Sequence, residues 1–311
     1  MQHVKHVLIV VAALSALAMQ IPFDGRPAPR RPPFLAEMQP GEKEIRSLAA
    51  GWPDRVTEIG PRDGEWMVRV GGQWFAWAHG RLLPEFQRSR WEEFAPFSFY
   101  DYPRRLSPLP SLDAQAAERF RARLAAEERH PPRRNDQLMS ALFEAPNRAS
   151  TESRLVRTEV AGFTVTVHER LKAPLSRVSR ELQFLRRSDP QVREFLRGLA
   201  ELNGYNYRYV DGTRSRSLHS YGAAVDFIPR GNAVGHSYWR WAMLTVPDWW
   251  RIPYEQRWTP PPPVIRAFER EGFVWGGKWL RFDTMHFEYR PDLFELRRLP
   301  GPLTVVEDGE A

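Results

Sequence analysis

Apolar and aromatic residues form two short runs in the first third of the chain. These runs, Glu65–Val70 and Gln73–Ala78, are separated only by a Gly-Gly pair. Because two such runs joined by Gly-Gly are typical of a β-hairpin, we predict a hairpin there. A cluster of aromatic residues follows at 91–102. We expect it to pack over the hairpin, and a sugar-binding platform is the alternative use of the same rings.

Helical patterns dominate the middle of the chain. Residues 114–129, rich in Ala and Arg, predict one helix, and residues 136–144 predict a short second one. Apolar residues spaced three and four apart predict further helices over 174–187 and 264–271. A helix with Pro in its first turn is expected over 190–203.

Four further runs are predicted to be strands, over residues 160–168, 205–210, 223–228 and 285–289. Within the third of these runs, Asp226 is an acidic residue in the middle of an apolar strand. A carboxylate is costly to bury there unless it is paired or bound to a metal ion. The hydrophobic pattern therefore makes Asp226 a candidate for charge pairing or metal binding.

Composition divides the chain into five predicted segments. They are a signal peptide or anchor (1–23), a Pro- and Arg-rich linker (24–40), an N-terminal region containing the hairpin and helices (41–154), a second domain (155–295) and a C-terminal tail (296–311). The first segment has a basic start, an apolar run and the small-x-small site Ala16-Leu-Ala18, which is the layout of a secretory signal. The apolar run is shorter than the ~20 residues of a comfortable membrane span. We therefore expect a cleaved export signal, with an uncleaved membrane anchor as the alternative, and a body outside the cytoplasm in either case.

Charge and cysteine content narrow the chemistry. The 311-residue chain has a net charge of +7 and an apolar fraction of 42%. The charge suits an anionic partner such as nucleic acid, a membrane surface or a cell-wall polymer, although a basic surface that only aids solubility is equally consistent. No nucleic-acid-binding motif accompanies it, so nucleic acid is not expected. The absence of Cys excludes thiolate metal sites and Cys nucleophiles, so any metal must bind His and carboxylates.

Two stretches carry such residues. The first holds His219 and Asp226, and the second holds Asp283, His286 and Glu288. Two His and one carboxylate form a recurring ligand set for catalytic zinc that leaves a fourth position open for water. Asp283 lies in the turn before the last strand, where it can act as a general base. We expect Glu288 to orient His286, although spacing alone leaves either acid as the base.

The first stretch reads Ser-x-His-x-x-Gly-x-Ala-x-Asp from Ser217 to Asp226, and the second ends in Asp-x-x-His after Trp-Gly-Gly. Both patterns resemble those of the zinc D-alanyl-D-alanine carboxypeptidases and dipeptidases and of the L-alanyl-D-glutamate endopeptidases, peptidase family M15. The resemblance runs from about residue 162 to 289. It implies that His219, Asp226 and His286 bind one Zn²⁺ and that Asp283 is the general base.

The family also uses an Arg upstream of the first His to hold the substrate carbonyl and its developing oxyanion. Arg208 is our choice for that role, because it lies on the predicted strand before the turn at Gly212 and Thr213, and Arg214 is the second candidate. A planar guanidinium suits an oxyanion or a carboxylate. Arg216 is expected to be a solvated charge. Ser217 is expected either to bind substrate or to shape the loop.

The resemblance implies an α+β fold in which an antiparallel sheet carries the site with helices on one side, preceded by the small β-containing unit. It further implies hydrolysis of amide bonds next to D-amino acids in peptidoglycan stem peptides. An endopeptidase and a non-catalytic zinc-containing wall-binding module are the alternatives. Residues 229–263, rich in Pro and Trp, are expected either to wall a substrate groove or to pack among themselves. His168 is expected to be structural.

Overall fold

The protein was analysed as a computed structural model, which describes residues 38–96, 99–129, 133–210, 215–231 and 236–300. The described residues belong to two compact units, residues 112–126 and residues 38–111 with 127–300. In the first unit the described part is residues 112–126, in which the Asp113 carboxylate accepts a hydrogen bond from the Ala116 amide at 2.7 Å. This bond caps the predicted helix at residue 114, because such side chains satisfy free amides at a helix start.

The helices of the described residues confirm most of the predicted ones. They are α1 (Glu42–Gly51), α2 (Ala114–Arg129), α3 (Gln137–Leu142), α4 (Arg148–Glu152), α5 (Lys172–Ser188), α6 (Pro190–Arg197), α7 (Trp239–Ala242), α8 (Pro262–Arg270) and α9 (Pro291–Arg298). The strands are β1 (Val56–Arg62), β2 (Glu65–Val70), β3 (Gln73–Ala78), β4 (Arg81–Pro84), β5 (Leu155–Val160), β6 (Phe163–His168), β7 (Leu199–Asn203), β8 (Ala224–Pro229), β9 (Phe273–Trp275) and β10 (His286–Tyr289).

The predicted Gly-Gly hairpin is confirmed as β2 and β3. These two strands lie in the middle of a four-stranded antiparallel sheet of order β1-β2-β3-β4. Both linking glycines have positive φ, 56° at Gly71 and 87° at Gly72. That backbone conformation is easy for glycine and strained for other residues, which explains why this pair marks the turn.

A second antiparallel sheet, of order β7-β8-β10-β9, carries Asp226, His286 and Glu288. Its register places His286 directly opposite Asp226. The fold is therefore α+β with antiparallel sheets, as expected.

One local prediction was confirmed only in part, and two were wrong. The strand expected over 160–168 is confirmed as β6 from Phe163 onward, but the chain turns at Ala161 and Gly162 with φ of 52° and 97°, and β5 pairs with β6 across that turn. The helix expected to reach residue 203 stops before Gly198, and β7 follows it. Pairing of β7 with β8 outweighs helix propensity there, which is a weak determinant beside tertiary contacts. Residues 205–210 form one isolated bridge, between Tyr209 and Arg216, instead of a strand.

One hydrophobic core spans both sides of the boundary predicted at 154/155. It includes Trp52 and Phe75 from the N-terminal region together with Val165, Val225 and other residues of the second domain. The core therefore has no gap at that position, and the division of the sequence into two domains stays a prediction.

The Trp-rich insertion packs for the most part against the protein itself. Trp239, Trp249 and Trp250 are buried, and Trp249 contacts Trp239 and Phe282 with ring centroids 5.1 and 6.1 Å apart. Trp241 is the exposed member. Of the two uses expected for these rings, the structure shows packing for the buried ones.

Several predicted features fall outside the described residues. They are the N-terminal signal or anchor, most of the linker (24–37), the end of the tail (301–311) and Arg214. Among the residues that are described, no helix has the length and apolar content needed to cross a bilayer.

Candidate metal centre

The first histidine of the site is presented by a short 3₁₀ turn, Leu218–Tyr221. The Ser217 hydroxyl accepts a hydrogen bond from the His219 amide at 3.3 Å and so caps this turn. Ser217 is buried, and it shapes the loop, which was one of its two expected roles. Gly222 ends the turn with φ of 64° and returns the chain into β8, the strand that carries Asp226.

The three predicted metal ligands converge. The His219 Nε2 atom lies 3.1 Å from an Asp226 carboxylate oxygen, and the His286 Nδ1 atom lies 2.9 Å from the other oxygen. The two ring nitrogens are 3.2 Å apart. Within the described part of the chain, these three residues form the group of His and acidic side chains suited to hold a metal ion.

The donor set fits zinc. Ligand atoms bound at ~2.0 Å to a tetrahedral ion lie about 3.3 Å from one another, close to the separations found here. The other nitrogen of each ring has its own partner. His219 Nδ1 donates to the Gly204 carbonyl at 2.6 Å, and His286 Nε2 lies 3.3 Å from Glu288. A carbonyl can only accept, so His219 carries its proton on Nδ1 and directs the lone pair of Nε2 at the common point.

The Asp226 carboxylate lies between the two imidazoles, with one oxygen near each ring. Burial opposes ionisation of Asp226, but the two imidazoles outweigh it and hold the pKa of this carboxyl far below its usual range. Burial also opposes a charged His286, yet its hydrogen bonds to Asp226 and Glu288 raise the pKa of this imidazole well above its usual value. A divalent cation at this point would supply positive charge that compensates the Asp226 carboxylate.

Asp283 lies beside this group on the loop that precedes β10. Its amide donates to the Gly276 carbonyl at 3.1 Å. One carboxylate oxygen of Asp283 is buried with no hydrogen-bond partner among the described residues. Burial raises the pKa of Asp283 to about 6, and the nearby His286 opposes that rise. A carboxylate with a raised pKa and a free acceptor oxygen has the properties of a general base.

A cleft of about 240 Å³ opens next to the convergent ligands. Its walls are Asn203, Gly204, Tyr205, Asn206, Arg208, His219 and Asp226. The Arg208 backbone is held by Ser220, whose hydroxyl accepts from the Arg208 amide at 2.8 Å. The structure therefore brings Arg208 to the same cleft as His219 and Asp226, two of the predicted metal ligands.

The expectation that Arg216 is a solvated charge was wrong. Its guanidinium donates to the carbonyl oxygens of Ala145 at 2.7 Å and Ser220 at 3.1 Å, and it lies 3.8 Å from the centre of the Tyr221 ring. These contacts tie the loop that carries His219 to the α3–α4 region. The carbonyl and aromatic contacts replace the hydration that the Arg216 guanidinium loses when it packs inward.

Sequence reasoning missed Gly204, whose carbonyl orients His219. A β-carbon at Gly204 would lie 2.2 Å from the Thr166 carbonyl oxygen, so the close approach of β6 requires glycine. In the sequence, Gly204 directly follows the helix predicted over 190–203, a position typical of a helix end. His168, in contrast, is structural as expected, because it is fully buried and hydrogen-bonded to the Phe143 carbonyl at 2.9 Å.

Comparison with known families agrees with this geometry. Residues 211–289, about a quarter of the chain, match a family described as D-alanyl-D-alanine carboxypeptidase. This match supports a peptidase of the M15 family in general terms. Residues 44–99 match a domain of unknown function. No curated protein and no solved structure matches the chain.

Proposed function

We propose that the protein is a zinc metallopeptidase that hydrolyses amide bonds next to D-amino acids in peptidoglycan stem peptides, as a D-alanyl-D-alanine carboxypeptidase does. The observation that carries the proposal is the convergence of His219, Asp226 and His286 beside the unpartnered oxygen of Asp283. A metal ion that only stabilises the fold does not require a neighbouring carboxylate with an unpartnered oxygen. The family match over both motifs supports the same class of reaction.

The metal would be held by His219 Nε2, His286 Nδ1 and the Asp226 carboxylate. When bound, zinc lowers the pKa of a coordinated water to about 7 and polarises the scissile carbonyl. The carbonyl of Gly204 and the carboxylate of Glu288 keep the two imidazoles in the required orientation.

Asp283 carries the proton transfers. Its carboxylate removes a proton from the attacking water and delivers it to the amine that leaves, which is why a pKa of about 6 is useful near neutral pH. Arg208, on the wall of the cleft, holds the carbonyl oxygen as negative charge develops on it. Arg208 also suits the terminal carboxylate of a short peptide, because a guanidinium binds carboxylates through two parallel hydrogen bonds.

Because the proposed substrate is part of the cell wall, we expect the protein to act outside the cytoplasm. The N-terminal segment with the layout of a secretory signal agrees with such a location. The net charge of +7 favours approach to an anionic wall polymer.

The test is digestion of purified murein by the zinc-loaded protein, with products identified by mass. Released D-Ala would establish a carboxypeptidase, and fragments cut inside the stem peptide would establish an endopeptidase. Asp283→Asn should lower the rate by 10²–10⁴-fold while zinc stays bound. The matched control is Asp63→Asn, a change at an exposed turn residue with φ of 51°, where Asn is well tolerated.

Hydrolysis retained by Asp283→Asn would refute the role of the base. A zinc-loaded wild type that releases nothing from murein, yet binds it, would instead indicate the non-catalytic wall-binding module.

A further inference from the structure

The loop that leads into the second motif is held by a segment from far earlier in the chain, Tyr100–Arg104. This segment follows the matched region 44–99 and precedes the matched region 211–289, so it belongs to neither. Its two tyrosines nevertheless make direct hydrogen bonds to Trp275 and Trp279. Those two residues flank the Gly-Gly pair of the motif.

Tyr102 fixes the start of the loop. Its hydroxyl is buried and accepts a hydrogen bond from the Trp275 amide at 2.9 Å. The Trp275 indole in turn donates to the Thr284 carbonyl at 2.8 Å, one residue after Asp283. This chain of contacts links the early segment to the residue next to the proposed base.

Lys278 closes the same loop onto the segment. Its side chain is 5% exposed and forms an ion pair with Glu269 at 2.6 Å. Its ammonium also donates to the carbonyl oxygens of Pro103 at 2.9 Å and Arg104 at 3.1 Å. A buried ammonium needs such partners, because its desolvation is costly without them. The loop is therefore specified by residues of the early segment.

Tyr100 is linked to His286, a proposed metal ligand, through Trp279. The Tyr100 hydroxyl accepts a hydrogen bond from the Trp279 indole at 2.8 Å. The Trp279 ring lies against the His286 ring, with centroids 5.7 Å apart. His286 is thus restrained on one side by Glu288 and on another by Trp279.

We propose that Tyr100 is a positioning residue of the metal centre and acts on His286 through Trp279. The inference rests on the proposed function in that His286 is taken as a metal ligand. It extends the site to the N-terminal part of the chain, so that a fragment limited to residues 155–295 would lack part of its own active centre.

The probe is zinc itself, titrated into the full-length protein in competition with a chromophoric chelator. Tyr100→Phe removes the acceptor of the Trp279 indole, and we expect zinc to bind about 10-fold more weakly, as when other residues that orient a ligand are lost. Trp279→Phe should weaken zinc binding by a similar factor. The double variant should bind zinc no more weakly than Trp279→Phe alone, because both changes break the same link between Tyr100 and His286.

The control is Tyr254→Phe, which also removes a tyrosine hydroxyl that makes a hydrogen bond, to the Ser107 carbonyl at 2.7 Å, and contacts neither motif directly. It should leave zinc affinity within twofold. The absorption spectrum of the cobalt-substituted protein, which reports ligand geometry, should change in Tyr100→Phe and stay unchanged in Tyr254→Phe.

The outcomes separate this inference from the proposed function. Weaker zinc binding in Tyr100→Phe supports the positioning role even if the wild type cleaves no murein peptide. Unchanged zinc affinity and cobalt spectrum in Tyr100→Phe, with active wild type, would overturn the positioning role and leave the proposed function intact. Additive losses in the double variant would show that Tyr100 does not act through Trp279. A wild type that binds no zinc would overturn both.

Discussion

His168 should make the protein sensitive to acid. Its ring is fully buried, its Nε2 donates to the Phe143 carbonyl at 2.9 Å, and its Nδ1 accepts from the Arg170 amide at 3.2 Å. The bond accepted by Nδ1 requires the neutral ring, since a protonated Nδ1 cannot accept. Burial is the main cause that lowers the pKa of His168 from 6.5 to about 4, although the bond to Phe143 opposes it.

The magnitude follows from the linkage between proton binding and folding. Between pH 6.5 and about 4 the unfolded chain binds a proton at His168 and the folded chain does not. Stability is therefore fully present above pH 6.5 and falls as the pH decreases through that window. A pKa difference of about 2.5 units corresponds to about 3 kcal/mol in total, of which about 2 kcal/mol is lost by pH 5.

The assay is urea unfolding of the wild type and of His168→Gln at pH 7.5 and pH 5.0, with chelator present so that metal binding does not contribute. Gln keeps a donor for the Phe143 carbonyl and does not titrate. The variant should be less stable at pH 7.5, and its deficit should shrink by about 2 kcal/mol at pH 5.0. A deficit that is the same at both pH values would refute the assignment of a buried neutral imidazole.

Three further predictions concern the site. Because Asp283, the proposed base, has a pKa of about 6, kcat/KM measured against pH should fall about tenfold per unit below pH 6, and a flat profile would contradict this. Gly222→Ala places a β-carbon 2.5 Å from the His168 amide nitrogen at a positive φ, so urea unfolding should show a loss of about 2–4 kcal/mol. Gly204→Ala would push against β6 and displace the carbonyl that orients His219, so zinc affinity should fall about 10-fold; unchanged affinity would show that this carbonyl is dispensable.

The local sequence was sufficient to predict those helices and strands that depend on short patterns of residues. A Gly-Gly pair between two apolar runs specified the hairpin, because glycine alone adopts the required backbone conformations easily. The spacing of apolar residues in α5 and α8 likewise predicted their helices. The types and order of residues in the two motifs identified the ligands and the base as candidates.

Tertiary structure decided what those local signals leave open. Residues 199–203 continue a helical pattern, yet pairing with β8 makes them a strand, and that pairing brings Gly204 to His219. Arg216 resembles a surface charge in sequence and is drawn inward by the Ala145 carbonyl oxygen, 71 residues earlier in the chain. The anchoring of the second motif by Tyr100 and Tyr102 joins positions more than 170 residues apart.

The chemistry expected of the centre could thus be predicted from residue types and short spacings, which are local properties of a chain. The geometry that makes the chemistry usable depends on which strands pair and in which register. The pairing of His286 with Asp226 across 60 residues is stabilised by the packing of the whole core, and the burial that raises the pKa of Asp283 arises only when that core has formed.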